Sequence, residues 1–226
     1  PEVIHLSLGR VEAALEALGR PQDRLPPVIH VAGTNGKGST CAFMRAMAEA
    51  AGLKAHVFTS PHLVRFNERI RLAGDIVDDN RLVDWLDRTY ETIRGQEITH
   101  FEATTATAML AFAEVPADLL ILEVGLGGRY DATNVIDDPA LCVITPVDFD
   151  HKAFLGSDLR KIAGEKAGII RYGRPVLSAI QRKVCDEVIA AEAARQNAPL
   201  YRLKAHFIDA MPDDLGLIGE HQRANA

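Results

Sequence analysis

The chain has 226 residues, 47% hydrophobic and 25% charged, with a formal net charge of -6, long enough for one substantial core or two closely packed subdomains. That acidic balance disfavours nonspecific nucleic-acid binding, which rewards an excess of Lys and Arg, and no apolar run approaches the ~20 residues of a membrane span. The N-terminus lacks a secretory pattern, and Cys41, Cys142 and Cys185 form neither a close pair nor a zinc-spaced cluster with His, so a reducing cytoplasm is the expected compartment.

In chain order, Leu8, Val11, Leu15 and Leu18 recur at helical intervals, and Gly19 and Pro21 supply a stop. Residues 28–32 form a short extended run that ends at a glycine-rich loop, residues 33–39, and a mostly apolar helix is expected over 40–51. A second strand is expected at 55–59. Residues 80–94 read as an amphipathic helix with Leu82, Leu86 and Ile93 facing inward and Val83 and Tyr90 beside them. Residues 103–113 form another helix candidate, weakened by several Thr. Residues 119–123 and 141–145 read as buried strands with polar ends. A helix over 157–166, a strand over 175–179 and a helix carrying Val184, Cys185, Val188 and Ile189 follow. Beyond about Pro199 the pattern turns irregular, suiting a small edge unit or a domain-exit segment. The alternation of strands and helices predicts an α/β fold: a P-loop ATPase-like, mostly parallel sheet with flanking helices and a small edge subdomain.

The loop after the first strand carries the chemistry. Three glycines within six residues let the backbone turn tightly against a phosphate, and successive N–H groups at the next helix N-terminus can receive anionic oxygens. Thr34, Asn35, Gly36, Lys37, Gly38 and Ser39 are therefore nucleotide-binding candidates, with Lys37 neutralising phosphate charge and the Ser39 hydroxyl on Mg2+. Gly38 separates Lys37 from Ser39, so the spacing departs from G-x-x-x-x-G-K-[ST]. The alternative is a purely structural glycine turn. Glu123 ends an apolar strand and precedes a second glycine-rich stretch, which suits a Mg2+ ligand; the bland alternative is a surface charge. His151, beside Asp150, is a metal-ligand candidate, although an isolated histidine is more often structural. The simplest role for Lys166 is a solvent-facing cation or an ion pair with Glu165.

Several stretches taken together resemble folylpolyglutamate synthase and bifunctional dihydrofolate synthase of the Mur ligase superfamily. They are residues 33–39, 59–63 (Thr59, Ser60, Pro61, His62, Leu63), 66–70, 101–102, 123–134, 150–151, 165–169 and 219–226. The resemblance implies that 1–226 is a Mur-ligase-type central ATPase domain, with about 200–226 an edge unit and domain-exit segment and the C-terminal glutamate-ligase domain absent from this chain. It also implies ATP and Mg2+ as cofactors, with Ser39, Glu123 and His151 as metal ligands. Lys37, His151 and Lys166 fall at catalytic positions, and Lys166 matches a lysine open to carbamylation, which would make it a further metal ligand. Thr59, Ser60, Pro61, His62, Phe66, Arg69 and Phe101 match the folate-pocket region, although by composition both Phe residues are more often core anchors than ligand platforms. Gln222 and Asn225 match a nucleotide-proximal segment, with Asn225 able to donate to and accept from adenine.

The chemistry so implied is activation of a dihydropteroate or reduced-folate carboxylate by ATP, followed by attack of L-glutamate. Nucleic acid and membrane are not expected partners. Two readings compete: a Mur-type ligase acting on a cell-wall precursor, and a nucleotide-binding regulatory module without catalysis.

Overall fold

The computed structural model describes residues 7–149, 158–205, 208 and 215–226. Eight strands form one sheet in the order β4-β3-β2-β5-β1-β6-β7-β8. The strands are β1 Val28–Ala32, β2 Ala55–Phe58, β3 Ile70–Leu72, β4 Asp75–Ile76, β5 Leu119–Glu123, β6 Leu141–Ile144, β7 Val176–Ser178 and β8 Leu200–Arg202. All neighbours from β2 to β8 pair in parallel, and only β3 and β4 join antiparallel. The central strands read as continuous apolar runs because both faces are covered, as a parallel sheet requires.

Helices cover the sheet on both sides. Helix α2, Lys37–Ala50, packs Cys41 and Ala48 against Val31, Val57, Ile121 and Val143. On the opposite face, α1 (Gly9–Ala17), α3 (Asp79–Thr92) and α4 (His100–Glu114) enclose Val28, Phe58, Leu120 and Leu122. Helices α5 (Leu159–Ala167) and α6 (Lys183–Arg195) bury Ile162, Cys185 and Ile189 beside Cys142 and Ile144. A short helix, α7 (Gln222–Asn225), packs on α2. All three cysteines are buried and pack as small apolar side chains.

Local chemistry sets the boundaries. Thr99 and Glu102 form a reciprocal capping box that starts α4 three residues ahead of the expected helix. Asp78 accepts the Arg81 N–H and starts α3. The expected inner face of α3 needs correction: Val83 and Tyr90 are exposed, and Trp85 and Thr89 are buried with Leu82. Trp85 lies three residues after Leu82, the helical spacing that shares a face, and its Nε1 donates to Glu114.

Chain order places the ligand crevice. From β1 the chain crosses over α2 to β2 on one flank, whereas β5 leads to β6 on the other. The carboxyl ends of β1, β5 and β6 therefore meet where connections leave in opposite directions, the place open α/β sheets use for ligands. The register sets Val31 beside Glu123 and Ala32 beside Ile144, so the first glycine loop, Glu123 and Thr145 share one rim.

Candidate active site

The loop from β1 enters α2 through Gly36, which is left-handed at φ 81°. Glycine adopts this conformation without the Cβ clash other residues meet. A Cβ there would also strike the Asn225 side chain, while Gly33 allows the equally close approach of Thr145. The Thr34 and Asn35 N–H groups both donate to Pro146 O at 3.1 Å, and Thr34 Oγ1 donates to Asp148 O at 2.9 Å. No side chain caps α2 and no acidic residue occupies its first turn. Its first N–H groups and the positive helix end thus face the crevice ready for an anion. Lys37 Nζ folds over the loop to Thr34 O at 3.3 Å.

Glu123 faces this turn. Its carboxylate oxygens lie 3.9 and 4.0 Å from the position a Cβ on Gly38 would take. It is only 3% exposed, so the bland reading as a surface charge is overturned. Burial pushes its carboxyl up to about 7, with Asp131 adding to the rise and Lys37 and the Ser60 N–H opposing it. Ser60 N donates to Glu123 Oε2 at 3.1 Å, and the Ser60 hydroxyl is buried without a hydrogen-bond partner among the described residues. A buried carboxylate with one N–H donor beside an unsatisfied hydroxyl suits a hard cation. Among the described residues no cluster of three His, Cys, Asp or Glu side chains is assembled. Mg2+ held here would therefore draw on Glu123, hydroxyls such as Ser60 and Ser39, phosphate and water. His151 and Asp150 lie outside the described residues.

Lys166 is also corrected: it is 2% exposed, and its Nζ donates to Gly33 O at 2.9 Å. It sits behind the phosphate turn rather than in solvent. The neighbouring Glu165 approaches Arg129 at 4.0 Å.

A cleft of about 740 Å3 borders Gly36, Gly38, Ser39, Thr59, Ser60 and Glu123. Across Ser60 and Pro61, which line both spaces, lies a cavity of about 480 Å3 walled by Arg10, Arg69, Phe101, Leu126 and Tyr130. Phe101 packs 6.2 Å from Phe58 against the core and also lines the cavity. A Cβ on Gly125 would meet the Phe101 ring. Phe66 instead packs between His62 and His100, each 5.9 Å away, with the Arg69 guanidinium 5.5 Å from its ring centre. Arg69 Nε donates to His62 Nδ1 at 3.0 Å. Glu68 accepts the Leu63, Val64 and Arg65 N–H groups, which gather the 60–65 loop and hold its carboxyl below the usual range.

Sequence reasoning missed two contributors. Arg10 makes a bidentate pair with Glu102, at 2.9 and 3.1 Å, on the cavity wall, and only the Arg at the start of an amphipathic helix hinted at it. Asp131 is buried and accepts Leu126 N at 2.8 Å, Thr133 N at 3.0 Å and Thr133 Oγ1 at 2.6 Å. Burial pushes its carboxyl up, and these donors oppose the rise. At the chain's end, Thr40 Oγ1 donates to Asn225 O at 3.0 Å, and Asn225 Nδ2 donates to Gln222 Oε1 at 3.0 Å. Gln222 and Asn225 thus sit against the phosphate turn.

A strand, a glycine turn and an uncapped helix, set beside a buried carboxylate at a sheet switch point, define an α/β protein with an anion-ready crevice. More narrowly, the chain belongs to the Mur ligase family, whose middle domain matches residues 31–206. It is 40% identical over 247 residues to a dihydrofolate synthase/folylpolyglutamate synthase of Bacillus subtilis, covering 97% of this chain and 57% of that protein. It superposes on Mycobacterium tuberculosis folylpolyglutamate synthase complexed with ADP and AMPPCP with a TM-score of 0.82 at 37% identity, covering 88% of this chain and 48% of that one. An FPGS–AMPPCP–folate complex gives a TM-score of 0.83 at 36% identity, covering 91% and 52%. The chain therefore spans about half the length of the relatives it matches. Among the described residues, no helix is long and apolar enough to cross a membrane.

Proposed function

We propose that this chain is the carboxylate-activating part of an ADP-forming amide ligase that joins a pteroate or folate carboxylate to L-glutamate, acting with a C-terminal glutamate-ligase domain. One observation carries the reading: a phosphate-ready turn and a buried carboxylate share the Ser60-Pro61 wall with an arginine- and phenylalanine-lined cavity. The relatives' names supply the folate-type acceptor.

In this mechanism the acceptor carboxylate oxygen attacks the γ-phosphorus of ATP, the β–γ bridge breaks, and ADP leaves. The glutamate amine then attacks the acyl phosphate, forming the amide and releasing phosphate. Lys37 and the α2 N-terminus stabilise charge on the phosphate oxygens. Mg2+, where bound, supplies further charge neutralisation, and Glu123 with the Ser60 or Ser39 hydroxyl would hold it. No side chain is needed as a nucleophile. Phe101 and the apolar wall take the ring system, and Arg69 or Arg10 suits its acidic groups. Asn225 and Gln222 border the nucleotide. Lys166, buried behind Gly33, would carry a carbamate that adds an anionic oxygen to the metal site. Carbon-dioxide-dependent activity, or a carbamate seen on Nζ in a metal-loaded crystal, checks that assignment.

The deciding experiment gives the full-length protein dihydropteroate, reduced folates and a Mur cell-wall precursor, and follows both ADP and covalent glutamate addition. Folate-dependent release of both products is expected. Turnover of only the Mur precursor, or Mg-ATP binding with no acceptor-dependent ADP, overturns the reading.

A further inference from the structure

The described residues contain two buried imidazoles that the mechanism above does not use; both ring nitrogens of His56 are hydrogen-bonded, to Val115 O and Ala73 N, whereas His30 is satisfied at one nitrogen only. His30 lies in the middle of β1, paired in register with Leu122 and Cys142, and is fully buried. Its Nε2 lies 2.9 Å from Thr133 Oγ1, and its Nδ1 is buried without a hydrogen-bond partner among the described residues. Burial, assisted by Arg171, pushes the imidazole down to about 3, so it is neutral at any working pH.

The tautomer follows from proton counting. The Thr133 hydroxyl has one proton, and it is committed to Asp131 Oδ1 at 2.6 Å. Toward His30 it therefore offers a lone pair, and His30 Nε2 must carry the hydrogen. Nδ1 is then a bare acceptor facing no donor among the described residues, an arrangement that is unfavourable for a buried polar atom. A Leu or Met would fill this core position without that cost.

What the arrangement secures is the far end of the chain. Asp131 receives the Leu126 N–H, and Gly125, Leu126, Asp131 and Ala132 all line the acceptor cavity. Glu123 stands two residues before Gly125 on the same segment. We infer that His30 is a positioning residue: its Nε2–H orients Thr133 onto Asp131, and Asp131 fixes the 125–126 backbone that separates the metal carboxylate from the acceptor cavity. The naming of the acceptor as the affected ligand rests on the functional reading above; the relay itself does not.

His30→Gln keeps a terminal N–H that can reach Thr133, whereas His30→Leu and Thr133→Val remove one partner each. In the full-length protein, His30→Leu should raise the acceptor KM about tenfold, the effect of one lost buried hydrogen bond. The ATP KM should stay within about twofold, and His30→Gln should recover to within about threefold. A general weakening of β1 would disturb the adjoining phosphate turn and move the ATP KM equally, which would overturn the proposal. Thr133→Val serves if His30→Leu does not fold, and it should reproduce the same KM split. Two readouts need no turnover. Long-range 1H–15N correlation should show His30 protonated at Nε2, and amide exchange at Leu126 should accelerate about tenfold in Thr133→Val. A Nδ1–H tautomer, or unchanged Leu126 exchange, overturns the relay. Faster exchange in a protein that adds no glutamate to any folate upholds the relay and overturns only the functional reading.

Discussion

Glu123 and Ser60 lie 63 positions apart in the chain and are joined by a single 3.1 Å bond from the Ser60 N–H to the Glu123 carboxylate. The bond ties the end of β5 to the loop that walls the Phe101-lined cavity. It is the only hydrogen bond to the Glu123 side chain drawn from the described residues, which leaves that carboxylate under-solvated.

The first prediction follows from this poverty of partners. The Glu123 carboxyl is raised from 4.5 to about 7 without metal. The folded state therefore holds its proton more tightly than the unfolded chain, so this contribution to stability is full below about 4.5 and is lost as pH rises through about 7. Glu123→Gln should then stabilise the metal-free protein at pH 8 by on the order of 2–3 kcal/mol and leave it nearly unchanged at pH 4. Mg-dependent nucleotide binding should disappear in the same variant. Thermal melts at both pH values, with and without Mg2+, check this; identical melts for variant and parent at pH 8 reject it.

Among the described residues the Lys37 ammonium donates only to the Thr34 carbonyl, a weak bond at 3.3 Å, so truncating its side chain leaves the apolar core untouched. Lys37→Ala should keep the melting temperature within a few degrees while weakening ATP binding and turnover by about a hundredfold, in the range of a lost charge contact to phosphate. Calorimetric titration with ATP alongside circular dichroism provides the measurement, and parent-like affinity removes Lys37 from the site.

At Gly36 two constraints coincide, the positive φ and the Asn225 side chain against the missing Cβ. Gly36→Ala should lower nucleotide affinity strongly, with backbone strain of roughly 1–2 kcal/mol. Adding Asn225→Gly relieves the contact but not the dihedral. The double variant should recover part of the lost thermal stability, read by melts without nucleotide, and recovery of none or all of it would show that one constraint acts alone.

Arg10 and Glu102 form the remaining test. Burial tends to raise the Glu102 carboxyl, yet Arg10 and Thr99 together hold it below the usual value. Their contribution to stability is therefore present above about pH 4.5 and is lost as pH falls. Arg10→Gln should cost about 1–3 kcal/mol at pH 7 and flatten the acid limb of the stability curve, read by denaturant melts from pH 3 to 7. A variant that retains the full acid limb would show that Thr99 alone holds the carboxylate.

The phosphate turn was legible because its signal is local: glycines, a lysine and a serine in consecutive positions between an apolar strand and an apolar helix. Alternation alone placed the central parallel strands. Strands β3 and β4 escaped because they are only three and two residues long, carry Arg71 and Asp75, and turn through Ala73 and Gly74 without an Asn-Gly or Asp-Gly signal. Strand β8 escaped for a related reason: at the sheet edge Tyr201 and Arg202 are exposed, so no apolar run marks it. The site's pairings were invisible because they are distant in sequence. His30 and Thr133 are 103 positions apart, Arg10 and Glu102 are 92 apart, and Lys166 meets Gly33 across 133. Lys166 was misread because charge alone argued for solvent, whereas the fold pulls its chain beneath the loop.

Ser60 and Pro61 border the Glu123 cleft and the Phe101-lined cavity alike. A bulkier residue at either place narrows two chambers at once, so under the proposed function drift in acceptor preference there would bring a change in nucleotide handling with it. Freedom to vary lies on the opposite side, at Tyr130, where the cavity can change shape while the cleft keeps its own.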